Sequence, residues 1–187
     1  FNEQRELINT GNITELDRGS EKGSWSRDWL NQIKRNTVFY EKPSEYRKTQ
    51  YRPFMFINSY FDDDLNQERY QLPKFFPNSA MENKVIFITG RGASKDFSTL
   101  MVDQIANYHL LDTSQCFPLY CYDERDKQAP TLFDAVGESE HIRRDGVSDF
   151  ILERAKKQYG NIVSKEDIFY YVYGILHSPN YQSTFEN

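Results

Sequence analysis

No run of about 18 apolar residues occurs in the chain, so the sequence holds no candidate membrane-spanning helix. A signal-peptide pattern is absent as well. Histidine is scarce. His109, His141 and His177 are scattered, and His-Glu-x-x-His is missing, which argues against a histidine-built metal site. Cysteine is scarcer. Cys116 and Cys121 sit in CFPLYC, and in a strand five positions apart puts them on opposite faces. A disulfide between them is not expected, and two sulfurs alone make a poor zinc site. The expectation is two reduced thiols in a cytoplasmic protein. No P-loop is present: GRGASKDFS at 90–98 has Gly, Ser and Lys at the wrong spacing. The Asn-Pro-Pro-Tyr motif that grips a flipped adenine is missing too. FDDD at 61–64 offers carboxylates to a cation, although a turn between strands is the plainer reading. No nucleophile–base pair is suggested by spacing. The sequence therefore predicts no catalytic residue, no metal site and no cofactor in this chain.

What is present is aromatic. Tyr (13) and Phe (14) dominate a chain that is 38% hydrophobic and 187 residues long, enough for one domain with an aromatic-rich core. The net charge of −5 argues against indiscriminate nucleic-acid binding but permits a local basic face. Such a stretch exists. Trp25 to Arg52 carries Arg27, Lys34, Arg35, Lys42, Arg47, Lys48 and Arg52 against Asp28, Glu41 and Glu45, a surplus of +4. The remainder then sums to −9, since −5 minus +4 is −9. Tyr40, Tyr46 and Tyr51 are interleaved with these cations. Cations for the backbone beside polar and aromatic groups are what a phosphate-tracking surface needs. A solvated face of ordinary charges is the competing reading.

The order of elements predicts an α+β fold: a mixed or antiparallel sheet core, with helices mainly near the two ends. Residues 1–23 are polar and broken by Gly11, Gly19 and Gly23, and are expected to form a connector from a preceding domain; 24–187 form the main domain. The chain begins at Phe1 within what reads as a polar helix, so it is expected to be part of something longer. SWSRDWLNQIKRN predicts a helix over about 27–34, with Ser26 as N-cap and Trp29 and Ile33 on one face. TVFYEK, QYRPFMFINSYF, VIFITG, FSTLMVDQI, YHLL and CFPLYCY read as strands, VIFITG being the best candidate for a fully buried one. Residues 124–146 have loop composition. SDFILERAKKQYG predicts a helix capped by Ser148, ended by Gly160, with Ile151, Leu152, Ala155 and Tyr159 on one face. SKEDIFYYVYGILHSP predicts another, with a Ser164/Asp167 capping box and a stop at Pro179. Its core stripe is expected at Ile168, Phe169, Val172, Ile175 and Leu176. Tyr170, Gly174 and His177 lie opposite, where a glycine would let another backbone approach. Burial on two sides is expected.

Five ordered stretches carry a resemblance: SWSRDWLNQIKRN (24–36), YRPF (51–54), ENKVIFITGRGASKDFSTLMVDQI (82–105), YHLLDTSQCFPLYCYD (108–123) and SKEDIFYYVYGILHSPNY (164–181). Together they resemble the C-terminal target recognition domain of type ISP restriction–modification enzymes, often described as helicases. The match covers most of 24–182. Met55 departs from it, standing where the family usually has Asp or another polar residue after YRPF. The 124–146 loop is longer than expected, and the tail resembling Leu-Pro-Arg-Ile-Pro is not in the sequence.

The resemblance implies a non-catalytic module that reads a short asymmetric sequence of double-stranded DNA. It implies clamping against an adjacent adenine-N6 methyltransferase domain of the same bacterial, cytoplasmic polypeptide. S-adenosylmethionine, ATP and Mg2+ would be used by other segments. The residues expected to position phosphates are Lys34, Arg35, Arg47 and Lys48. A DNA-facing loop is expected at Arg91, Ser94 and Lys95. Base readout candidates are Gln50, Asn78, Arg125 and Lys127, side chains able to reach base edges. Arg52 of YRPF is expected to be structural, with a buried partner. Two rivals remain open on the residues alone: a nuclease or ATPase within this piece, and a protein-docking module without DNA contact.

Overall fold

The computed structural model describes residues 5–6, 27–66, 68–125 and 140–185, with 27–30 as backbone only. Cα packing divides it into two compact units, 1–46 with 60–69, and 47–59 with 70–187. The fold is α+β with antiparallel sheets. The connector expected at 1–23 lies almost wholly outside the described residues, as do the Ser26 cap and the Trp29 side chain.

In the first unit, α1 (Arg27–Lys34) carries the fully buried Ile33. TVFYEK is not a strand; it is irregular chain leading to a single 3-10 turn at Pro43–Glu45. Asp62 organises the following acidic turn. Its Oδ1 accepts from the N–H groups of Asp64 (2.8 Å) and Leu65 (3.1 Å). Its Oδ2 takes the Lys42 ammonium at 2.7 Å.

The second unit is built on β3 (Val85–Thr89), with β4 (Thr99–Val102) and β5 (Ser114–Pro118) antiparallel on either side. Phe87 lies opposite Leu100 and Cys116. Alternation sends Ile86 and Ile88 to one face of β3 and Val85 and Phe87 to the other. Val85, Ile86 and Phe87 are buried while Ile88 and Thr89 are only partly so; VIFITG is the central strand expected, but not one buried throughout. After Leu119 the chain enters β6 (Tyr120–Glu124), which pairs with β7 (His141–Asp145). CFPLYCY is thus two strands in two sheets, with one cysteine in each. β7 corrects the reading of 124–146 as loop throughout. Its HIRRD sequence lacks an apolar rhythm, and pairing with β6 supplies what propensity does not. YHLL is a turn, not a strand.

The join between these sheets is held by Asn83. Its Nδ2 donates to Phe75 O at 2.8 Å and Tyr120 O at 2.7 Å, while Oδ1 accepts from Lys84 N and Tyr120 N. Phe75 ends α2 (Leu72–Phe75), a single turn entered through Pro73, which is tolerated there because early helical N–H groups lack partners anyway.

Two longer helices follow. Ser148 caps α3 (Asp149–Tyr159), and Gly160 ends it at φ 98°. The Ser164/Asp167 capping box opens α4 (Lys165–Leu176). Phe169, Tyr173 and Leu176 of α4 pack with Ile86, Ile88, Met101 and Leu119. The Tyr173 hydroxyl accepts from Met101 N–H at 3.2 Å, so its polar end is satisfied at the helix–sheet seam. The expected stripe is therefore rotated. Val172 is 45% exposed, and a Cβ at Gly174 would meet nothing within 4 Å. α4 is covered on one side, not two: the hydroxyl let Tyr173 take the inward position that hydrophobicity alone assigned to Val172. Pro179 does not merely stop α4, which ends at Leu176; it begins α5 (Pro179–Phe185).

Candidate nucleic-acid interface

The YRPF segment is the tip of a two-stranded ribbon, β1 (Tyr46–Arg52) and β2 (Met55–Tyr60). Pro53 and Phe54 alone connect them, Phe54 at φ 64°. Proline at the first central position and positive φ at the second is the pattern of a type II turn, in which the second position favours Gly or Asn. Lys48 lies 4.6 Å from the centre of the Phe56 ring, and the Arg52 guanidinium 4.2 Å from that of Tyr51. Arg52 also donates to the carbonyls of Tyr51 (2.9 Å) and His109 (3.3 Å). It is structural, as expected, but its partners are main-chain carbonyls in an exposed setting, not a buried group.

The 90–98 loop meets the same region. Gly90 is pressed against the main chain: a Cβ there would lie 2.5 Å from Thr113 O. The carboxylate of Asp112 accepts from Ser94 N–H at 2.6 Å and Ser94 Oγ at 2.9 Å. These bonds, the main-chain one first, hold the Asp112 carboxyl below the usual range, with Lys95 and His109 adding to the effect. Ser94 is thus an anchor of the loop, while Arg91 and Lys95 are exposed. Lys95, Ser98, Arg52, Pro53, His109 and Asp112 line a cleft of about 450 Å3 with Leu110 and Leu111. Three stretches far apart in sequence, 52–53, 95–98 and 109–112, are thereby brought to one opening.

The other expected residues are distributed unevenly. Lys34 and Arg35 are exposed at the end of α1, in the first unit. Lys48 is exposed on β1. Arg47 is 8% exposed and donates to Pro77 O at 3.0 Å, so as a phosphate contact it is corrected to a buried structural arginine. Gln50 is 6% exposed. Its main-chain N–H bonds to Ile105 O and its main-chain carbonyl accepts from Asn107 N–H, and the burial of the residue leaves no exposed side-chain amide for base readout. Strict alternation would have put Gln50 on the Lys48 face, but the burial pattern slips between Thr49 and Gln50. Asn78 spends its Oδ1 on the N–H groups of Ala80 and Met81, an Asx turn. Arg125 is exposed just past β6, and Lys127 lies outside the described residues.

No catalytic geometry accompanies these groups among the described residues. Among the described residues, Asp62, Asp63 and Asp64 are the one acidic set close enough for a metal, with oxygens within 4.8 Å of each other. Lys42 lies against all three, at 2.7, 3.7 and 3.4 Å, so the turn already carries its own cation.

Residues 2–187 match the family model described as the Type ISP C-terminal specificity domain. The chain belongs to that family.

Solved structures agree with this assignment. "cryoEM structure DrdV-DNA complex" matches at TM-score 0.75 and 26% identity, over 97% of this chain and 17% of that one. "ATP-dependent Type ISP restriction-modification enzyme LlaBIII bound to DNA" matches at 0.77 and 25%, over 98% and 11%. A nuclease-deletion mutant of the Type ISP enzyme LlaGI with a DNA substrate mimic shares the fold at 0.71 and 23%, over 98% and 15%. The specificity domain therefore spans only 11–17% of these three chains. No curated protein matches it. Its family is a recognition module and not a catalytic one.

Sequence reasoning missed two features of this specificity domain. Arg143 and Arg144 are presented by β7, Arg143 over the Tyr120 ring at 4.3 Å and Arg144 paired to Asp123 at 2.7 Å. The signal was the RR pair, masked by the loop composition around it. The second is Phe54, whose left-handed backbone no residue pattern announced.

Proposed function

We propose that this chain recognises a short asymmetric sequence in double-stranded DNA, as the specificity module of a larger ATP-dependent restriction–modification enzyme. The carrying observation is the family match over residues 2–187, joined by two relatives of at least 25% identity whose structures are DNA complexes. The geometry supports it. Exposed Lys48, Arg91 and Lys95 lie on a ribbon and a loop of one unit, Lys95 lining the cleft and Lys48 lying over the Phe56 ring. Within the second unit, phosphates would be held by Lys48 and Lys95 and base edges reached by Arg91 and Arg125; within the first, Lys34 and Arg35 would hold phosphates of their own.

Cleavage, ATP hydrolysis and methyl transfer, with their Mg2+, ATP and S-adenosylmethionine, would belong to other segments of such an enzyme. A neighbouring methyltransferase domain is the natural partner for the C-terminal helices. Phe150 and Ile151 of α3, Val172 of α4 and Phe185 of α5 are exposed, more apolar surface than a face turned only to water would carry.

The test is a salt titration of duplex affinity. About four phosphate contacts give a log–log slope of about −3.6, roughly a hundredfold loss between 50 and 200 mM salt. Lys95→Ala should weaken binding to all duplexes and flatten the slope by about one. Absence of duplex binding at 50 mM salt would refute the proposal and favour a docking module without DNA contact.

A further inference from the structure

The ribbon tip contradicts the rules that make a stable fold. Phe54, Met55, Phe56 and Ile57 are four consecutive large apolar residues, and all are exposed; such a run serves no folding purpose. Both faces of outer β2 are open, because neighbouring residues of a strand point opposite ways. Phe54 is the extreme case. It takes φ 64°, a conformation costly for a bulky residue and easy for glycine, and the residue is 84% exposed, so packing returns little. Cations stand close to the tip, although Leu110, Leu111 and Asp112 also line the neighbouring cleft. Pro53 and Arg52 line the cleft that Lys95 and His109 share, and Lys48 stands over Phe56.

An exposed aromatic tip rimmed by cations fits a polyanion with flat apolar interiors. That describes a nucleic-acid duplex, whose base steps admit apolar wedges while its phosphates meet the cations. We propose that Phe54 is a wedge that enters a base step of the bound duplex and unstacks it, with Pro53 and Met55 bracing the tip and Lys48 and Lys95 holding flanking phosphates. The left-handed turn is what thrusts the ring beyond the ribbon. This rests on the DNA-recognition reading above and deepens it with a residue and a DNA deformation.

The test uses the 187-residue chain and 30-base-pair duplexes of mixed sequence carrying 2-aminopurine, whose fluorescence rises on unstacking. Wild type should raise the fluorescence. Phe54→Gly should lose that rise and weaken binding roughly ten- to hundredfold, the scale of one aromatic–base stack. It should also raise the thermal midpoint, because glycine relieves the positive φ. Phe54→Asn, also at ease in that conformation, should behave alike. Affinity and fluorescence rise unchanged in Phe54→Gly would overturn the wedge and leave DNA recognition standing. No duplex binding by wild type would overturn both. A wild-type dimer that Phe54→Gly turns into a monomer, with DNA binding intact, would assign the tip to protein contact and also overturn the wedge.

Discussion

Replacing Asn83 should damage the specificity domain more than any surface change. Asn83 is 4% exposed and makes four hydrogen bonds, donating to Phe75 O and Tyr120 O and accepting from Lys84 N and Tyr120 N, all within 3.0 Å. Asn83→Ala removes all four and leaves the Phe75 carbonyl in a buried setting. Each lost bond of this kind costs about 1 kcal/mol net, more where the orphan is fully buried. Some of these groups are only partly buried and regain water, so the total is about 2–4 kcal/mol. Domains of this size are stable by about 5–15 kcal/mol, so that is a sizeable share. Asn83→Asp keeps the size but loses both donors and sets a charge against two carbonyls, and should cost at least as much at pH 7. Urea unfolding at 25 °C, followed by circular dichroism, measures both. A loss below about 0.5 kcal/mol for Asn83→Ala would refute the reasoning, because the join between the two sheets would then be held by something else.

The rotation of α4 predicts a contrast: Phe169→Ala should cost about 3–5 kcal/mol, while Val172→Ala should fall within about 0.5 kcal/mol. Equal losses in urea unfolding would restore the sequence-derived stripe. Ser164→Ala should cost about 1 kcal/mol through the lost capping box, against no loss for Ser183→Ala at an exposed site of α5. Asp62 gives the acid limb of stability. Burial raises its carboxyl pKa, but Lys42 and the N–H groups of Leu65 and Asp64 outweigh it and the net direction is down. A depressed folded value contributes stability above the unfolded carboxylate value, about 3.9, and loses it as pH falls through the folded value. Unfolding midpoints should thus hold from pH 7 to about 5 and fall below about 4, with Asp62→Asn lower at pH 7 and flatter in acid. An identical acid limb in the variant would disprove the role of Asp62.

Local signals were legible where they act alone. Ser148, Gly160 and the Ser164/Asp167 pair marked helix ends because capping involves only near neighbours. VIFITG announced a buried strand by composition. What stayed hidden was decided at a distance. β7 exists because β6 offers it a partner, and Gln50 is buried because residues 105–107 pair with its backbone. Val172 faces out because Tyr173 finds Met101 N–H. Of the candidate site, Lys48, Arg91 and Lys95 were legible as exposed cations beside turns and aromatics. The meeting of Lys95 with Arg52 and His109 was not, since it depends on the Asp112–Ser94 bonds across the fold.

The central claim is sequence-specific recognition, and selection from a randomised duplex pool tests it most directly. The chain would be incubated with 30-base-pair duplexes bearing a random centre at low salt, and bound molecules recovered, amplified and sequenced over several rounds. The account predicts enrichment of one short asymmetric motif, bound at least a thousandfold more tightly than unselected duplex, the usual scale of specific recognition. Recovery of duplexes with no shared motif, or of no duplex at all, would contradict it.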